Sequence, residues 1–147
     1  MKISTIGFTE KKAERFFSLL KLSGSKKLID VRLNNISQLS GFAKKDDLKY
    51  FLNEICNIEY SHIPDLAPTK TILKPYQQKE ITWDAYAEKF MELMASRRIE
   101  KGLSPSDLDD SCLLCSEHLP HQCHRSLVIE YLKSQWPGVE LHVTHLI

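Results

Sequence analysis

Thiol, imidazole, carboxylate and guanidinium groups crowd into one stretch of this 147-residue chain. The run Ser111-Cys112-Leu113-Leu114-Cys115-Ser116-Glu117-His118-Leu119-Pro120-His121-Gln122-Cys123-His124-Arg125 holds three of the four cysteines and three of the six histidines, with a glutamate and an arginine. Groups of these types bind metals, hold anions and perform nucleophilic or acid/base steps. Cys115 or Cys123 becomes a nucleophile if a cation or a helix N-terminus depresses its thiol pKa. Glu117 is a candidate general acid or base. Cys123, His124 and Arg125 open a helix, whose free N–H groups beside a guanidinium make a seat for phosphate or carboxylate. Each residue also has a plainer reading. A buried cysteine serves as a small hydrophobe, and Glu117 serves as a solvated loop carboxylate.

A metal reading competes. Cys112 and Cys115 are spaced as C-x-x-C, but a strand has a side-chain period of two, so the pair points to opposite faces. Cys112 then belongs to the core, and a zinc or iron site would have to use Cys115, Cys123 and a histidine. No second C-x-x-C pair accompanies them.

A second charged group lies far away in sequence. Asp30 and Arg32 end the string Leu28-Ile29-Asp30-Val31-Arg32, an almost continuous apolar run of the kind buried on both faces of a parallel sheet. Arg32 and Arg125 can hold an anion and Asp30 can transfer a proton. Alternatively, Asp30 pairs with one of the arginines and fixes the loops. His145 shares a strand face with Leu141 and Val143.

The elements that must position these groups follow from periodicity. Ile3 to Ile6 is a strand ending at Gly7. Thr9 caps a helix carrying Ala13, Phe16, Phe17 and Leu20, and Gly24 closes it. After the second strand comes a loop from Leu33 to Lys45, then a helix capped by Asp46 or Asp47 with Leu48, Phe51, Leu52 and Ile55 on one face. Ile58 to Ile63 is a third strand, stopped by Pro64. The stretch from Pro64 to Ile81, with its prolines and lysines, reads as a long loop with room for a helical turn, a lid over the sheet edge. Thr82 caps a helix whose Trp83, Tyr86, Ala87, Phe90, Leu93 and Met94 form a buried stripe, ended by Gly102 before a turn region from Ser104 to Asp110. Ser111 to Cys115 is strand four, and Arg125 to Gln135 is a helix with Leu127, Val128, Tyr131 and Leu132 inward. Glu140 to Ile147 is the last strand. This alternation predicts one α/β domain over residues 1–147: three layers, a mainly parallel sheet of about five strands, right-handed crossovers, and a ligand site beyond the carboxyl ends of the strands.

Twenty basic and 19 acidic residues give a net charge of +1, so no global field steers the protein toward nucleic acid or an anionic membrane. The N-terminus does not read as a signal peptide and no apolar run reaches membrane length, so a cytoplasmic protein with reduced cysteines is expected.

The assembled residues resemble the domain of unknown function 488 family. The resemblance rests on Thr5-Ile6-Gly7, Leu28-Ile29-Asp30-Val31-Arg32, Ser37-Gln38-Leu39-Ser40-Gly41-Phe42, Tyr60, and above all Leu114-Cys115-Ser116-Glu117 followed by Cys123-His124-Arg125, with His142-Val143-Thr144-His145-Leu146-Ile147 at the end. It implies a compact α/β domain whose thiol and charged residues form one pocket, and it implies no particular reaction. It adds Tyr60 and His145 to the substrate-binding candidates and strengthens Asp30, Arg32, Cys115, Glu117, Cys123, His124 and Arg125. The second strand is also similar to one in rhodanese-like domains, although the stretch from Ser116 to Gln122 has no glycine to form a short anion cradle.

These readings converge on a small enzyme acting on an anionic or nucleotide-like small molecule. Cys115, Glu117, Cys123, Asp30 and His124 are the catalytic candidates, and Arg32, Arg125, Tyr60 and His145 the binding candidates; no cofactor is specified. Two alternatives stand beside it. One is a module that binds a nucleotide or nucleic-acid end without turnover, with Tyr60 and Tyr76 as stacking faces. The other is the metal site on Cys115, Cys123 and a histidine.

Overall fold

The computed structural model describes residues 1–35, 41–117 and 120–147. The family-like segment Ser37-Gln38-Leu39-Ser40, and His118 of the reactive run, lie outside the described residues. Five strands, β1 (Lys2–Gly7), β2 (Lys27–Asp30), β3 (Glu59–His62), β4 (Ser111–Cys115) and β5 (His142–Leu146), form one sheet in the order β3-β2-β4-β1-β5. Every pairing in it is parallel. Helices α1 (Ala13–Ser23) and α2 (Lys45–Phe51) belong to one face, and α4 (Trp83–Arg97) and α7 (His124–Gln135) to the other. The architecture is a three-layer α/β fold. No helix among the described residues is long and apolar enough to cross a membrane.

Strand parity builds the two cores. In β4, Cys112 and Leu114 join Ile6, Phe16, Phe17, Leu20, Leu28, Leu48 and Leu52 on the α1/α2 face. Leu113 and Cys115 join Ile29, Tyr86, Phe90, Leu127 and Val128 on the other. All five residues of β4 are buried, as the central strand of a covered parallel sheet requires. Cys112 is core as expected, and burial pushes its thiol pKa up.

The chain leaving β1 and β2 turns toward α1 and α2, whereas the chain leaving β4 turns toward α7 on the opposite face. A strand whose neighbours send their connections the other way leaves a crevice above its carboxyl end, the usual ligand position in open α/β sheets. Register brings the relevant ends level: Gly7 pairs with Cys115, and Asp30 with Leu114.

Several local expectations are corrected. Thr9 does not cap α1, which begins after Lys12; its hydroxyl and its N–H both donate to the Ser116 carbonyl, tying the chain beyond β1 to the end of β4. Gly24 does close α1, in the left-handed region at φ 72°. Asp46 and Asp47 lie in the first turn of α2 rather than at its cap, where carboxylates still complement the helix dipole. A π-helical turn, Leu52–Cys56, extends α2 and leaves Ile55 exposed. Ile58 and Ile63 flank β3 instead of belonging to it. The long helix α4 starts at Thr82, whose hydroxyl accepts from the Ala85 N–H, but ends at Arg98 in the left-handed region; the short α5 (Ile99–Gly102) follows. The turn region holds α6 (Pro105–Leu108), fixed by a capping box between Ser104 and Asp107.

The largest difference is the expected lid loop, which contains the helix α3 (Lys70–Gln77) despite Pro75 in its interior. Ile72, Leu73 and Tyr76 pack against the α4/α7 core, and this burial outweighs the hydrogen bond that proline removes.

Gly7 marks where the backbones come closest. A Cβ there would lie 1.5 Å from the Glu117 carbonyl oxygen and 2.8 Å from Arg125 Nη1. Gly7→Ala is therefore expected to cost about 2–3 kcal/mol or more, at the upper end of overpacking penalties. Gly138→Ala, which meets nothing within 4 Å, should stay within about 0.5 kcal/mol of the parent. Urea unfolding of the two variants side by side checks this. Equal stabilities would refute the close approach.

Candidate functional site

The crevice is a cavity of about 640 Å³. Its walls come from the ends of β2 (Arg32 to Asn34) and β4 (Cys115 to Glu117), the starts of α7 (Gln122 to His124) and α4 (Trp83, Tyr86), and α3 (Lys70, Leu73, Lys74, Tyr76). Of the sequence candidates, Arg32, Cys115, Glu117, Cys123 and His124 line it together.

Asp30 is fully buried behind the cavity. Its carboxylate accepts from Arg32 Nε at 2.8 Å and Nη2 at 2.7 Å, from the Arg32 backbone N–H at 3.1 Å, and from the Tyr60 hydroxyl at 2.6 Å. Both oxygens are already engaged, and the pairing with Arg32 fixes the strand end. Tyr60 likewise lies outside the cavity lining. Its hydroxyl is tied to Asp30 and accepts from Asn35, and burial with the adjacent carboxylate raises its pKa.

Arg32 is 2% exposed, with its guanidinium 5.4 Å from the centre of the Phe8 ring. One edge of the guanidinium grips Asp30. The remaining nitrogen, Nη1, is buried and has no hydrogen-bond partner among the described residues.

Arg125 does not line the cavity. It is fully buried, and Nη1 donates to the Glu117 carbonyl at 2.5 Å and to Cys115 Sγ at 3.3 Å. Burial presses its pKa down to about 10, which leaves it cationic at neutral pH. It bonds the loop after β4 and is not part of the cavity lining. The Glu117 side chain is exposed at the cavity wall. His145 is exposed on the edge strand β5 and bonds to the Thr5 hydroxyl through Nδ1 at 2.6 Å. It too lies outside the cavity lining.

His124 Nε2 lies 2.6 Å from the Val31 carbonyl oxygen. A carbonyl only accepts, so Nε2 carries the proton. Burial, aided by the nearby Arg125 charge, lowers the ring pKa to about 4. The ring is neutral at physiological pH, and Nδ1, bonded to no described residue, keeps a free lone pair.

Cys115 and Cys123 were expected as reduced thiols; instead their sulfurs meet and pair as a disulfide, while Cys56 and Cys112 are free. The fold accounts for the pairing, because Cys115 ends β4 and Cys123 is the N-cap residue of α7 directly above it. The Cα atoms stand 7.7 Å apart, beyond the roughly 4.4–6.8 Å over which a disulfide bridges without backbone movement. Among the described residues no three His, Cys, Asp or Glu side chains converge as a metal site.

Sequence reasoning missed Lys70 and Lys74, exposed and one turn apart on α3, and gave Trp83 and Tyr86 to the core alone. The i, i+4 lysine spacing was visible, but only a helix turns it into one charged face. Tyr76, Trp83 and Tyr86 make an aromatic wall, with ring centres 4.8 Å apart for Tyr76 and Tyr86 and 5.4 Å for Trp83 and Tyr86.

A depressed histidine pKa has a definite sign in stability. Between about 4 and the ordinary 6.5, the unfolded chain binds a proton that the folded ring refuses, so stability falls as pH drops through that window. The fall should be shallower in His124→Gln. Unfolding free energies from pH 7 to pH 4 test it, and a His124 ring that titrates near 6.5 by NMR would contradict it.

A family model described as Domain of unknown function DUF488 matches residues 12–132, from just before α1 into α7. Nothing among curated proteins or solved structures matches the chain.

Proposed function

The chain belongs to the DUF488 family, and we propose that its cavity is the working site of a small enzyme acting on a ring-bearing anion of nucleotide-like chemistry. The observation that carries this reading is Arg32, which lines the cavity with one edge committed to Asp30 and with Nη1 buried and unpartnered. A buried donor without an acceptor costs free energy, and an anionic ligand oxygen restores the bond. Lys70 and Lys74 add positive charge, against Glu117 as the one carboxylate in the described lining.

The remaining walls suit the rest of such a ligand. Tyr76 and Trp83 are half-buried and offer aromatic surface for a heterocycle. A volume of about 640 Å³ falls within the roughly 300–1,000 Å³ of small-molecule sites. For the chemical step, Glu117 at the cavity wall is the proton carrier, and the neutral His124 ring offers Nδ1 to the ligand as a hydrogen-bond acceptor. Asp30, Tyr60 and Arg125 hold these groups in place without touching the ligand.

Calorimetric titration with nucleoside 5′-monophosphates and the matching uncharged nucleosides tests the reading. The monophosphates should bind more tightly, and Lys70→Ala combined with Lys74→Ala should weaken them by roughly tenfold, about 1.4 kcal/mol, while leaving the nucleosides unchanged. Absence of binding by every monophosphate up to about 1 mM, a free energy near −4 kcal/mol, would remove it.

A further inference from the structure

We infer that Cys115 and Cys123 form a reactive dithiol that reduces small disulfides entering the cavity, an inference that rests on the anion-cavity reading for how the substrate is drawn in. Four observations meet at this pair. The two sulfurs touch. Both residues line the cavity, so a ligand reaches them. Cys115 Sγ accepts from the buried, cationic Arg125 at 3.3 Å, and a guanidinium beside a thiol favours the thiolate. Cys123 stands at the N-terminus of the twelve-residue α7, where unpaired N–H groups also favour negative sulfur. The two free cysteines lie elsewhere. Cys112 is enclosed in the opposite core and Cys56 lies outside the cavity, and burial raises both thiol pKa values.

The chemistry is thiol–disulfide exchange. The Cys115 thiolate attacks one sulfur of the substrate, forming a mixed disulfide and expelling the other half as a thiolate. Cys123 loses its proton to solvent and attacks Cys115 Sγ. The Cys115–Cys123 disulfide forms and the second half leaves as a thiol. Two electrons move from the pair to the substrate. An external thiol or dithiol reductant returns the pair to the reduced state.

The anionic aromatic disulfide 5,5′-dithiobis(2-nitrobenzoate) is a fitting probe. Pre-reduced Cys56→Ser protein should release about two equivalents of thionitrobenzoate quickly, and intact mass should show a newly closed disulfide and no adduct. In Cys56→Ser combined with Cys123→Ser, one equivalent should be released and a stable adduct should map to Cys115. A stable adduct on the unaltered pair, or a pair no faster than Cys112, overturns the inference, and the first of these needs no active-site variant to fold. Cationic cystamine separates this result from the cavity reading. Each disulfide is compared with itself across variants, because the two leaving thiols differ in acidity. Slowing of 5,5′-dithiobis(2-nitrobenzoate) but not of cystamine in Lys70→Ala/Lys74→Ala supports both readings. Rates of both unchanged in that variant, with rapid disulfide closure, keep the dithiol and remove anion selection by the cavity.

Discussion

The site depends on a buried ion pair between Asp30 and Arg32. A carboxylate and a guanidinium removed from water lose several kcal/mol of solvation each unless their hydrogen-bonding capacity is met. Asp30 meets this demand in full, with the Arg32 fork, the Arg32 N–H and the Tyr60 hydroxyl around it. Arg32 meets it only in part. The carboxylate locks the guanidinium plane, and the locked plane leaves Nη1 beside the cavity with no partner among the described residues. His62, on the neighbouring strand, contacts the Arg32 carbonyl at 2.9 Å and holds the same corner from the backbone side.

The second arginine solves a different problem. The chain must leave the central strand β4 and travel to α7 over the end of β1, and there the Glu117 carbonyl comes so close to Gly7 that no side chain fits between them. Arg125 reaches back from the first turn of α7 to bond that carbonyl. Thr9 bonds the Ser116 carbonyl from the other side. These contacts hold Ser116 and Glu117, so the direction of that cavity wall is set by groups outside the cavity lining.

The strands were legible because burial on both faces writes a near-continuous apolar run, as in Leu28-Ile29 and Cys112-Leu113-Leu114. Their ends were legible because charge and thiol residues stop those runs. The helix α3 was not legible: eight residues with a central proline and two lysines carry too little local preference, and only packing of Ile72, Leu73 and Tyr76 decides the matter. Roles within the site were less legible than membership. Asp30 and Arg125 carry the same charges as Glu117 and Arg32, and sequence cannot say which charge faces the cavity and which is consumed behind it. Parity separated Cys112 from Cys115, because the alternation of a strand is a local rule. Nothing local could pair Cys115 with Cys123, since that meeting depends on the path of the intervening loop.

Arg125 also links the two halves of the site's chemistry. A buried guanidinium whose pKa is pressed down by its surroundings gains from any anion placed against it, and Cys115 Sγ is within its reach. The same charge disfavours protonation of His124, next to it in the chain, and so helps keep that ring neutral. One cation therefore favours a thiolate on one neighbour and a free imidazole lone pair on the other. An acid-side cation and a base-side imidazole would ordinarily oppose each other in so small a volume. They coexist because the Val31 carbonyl anchors the only proton the ring carries, so the neutral tautomer is fixed by the strand that also positions Asp30 and Arg32.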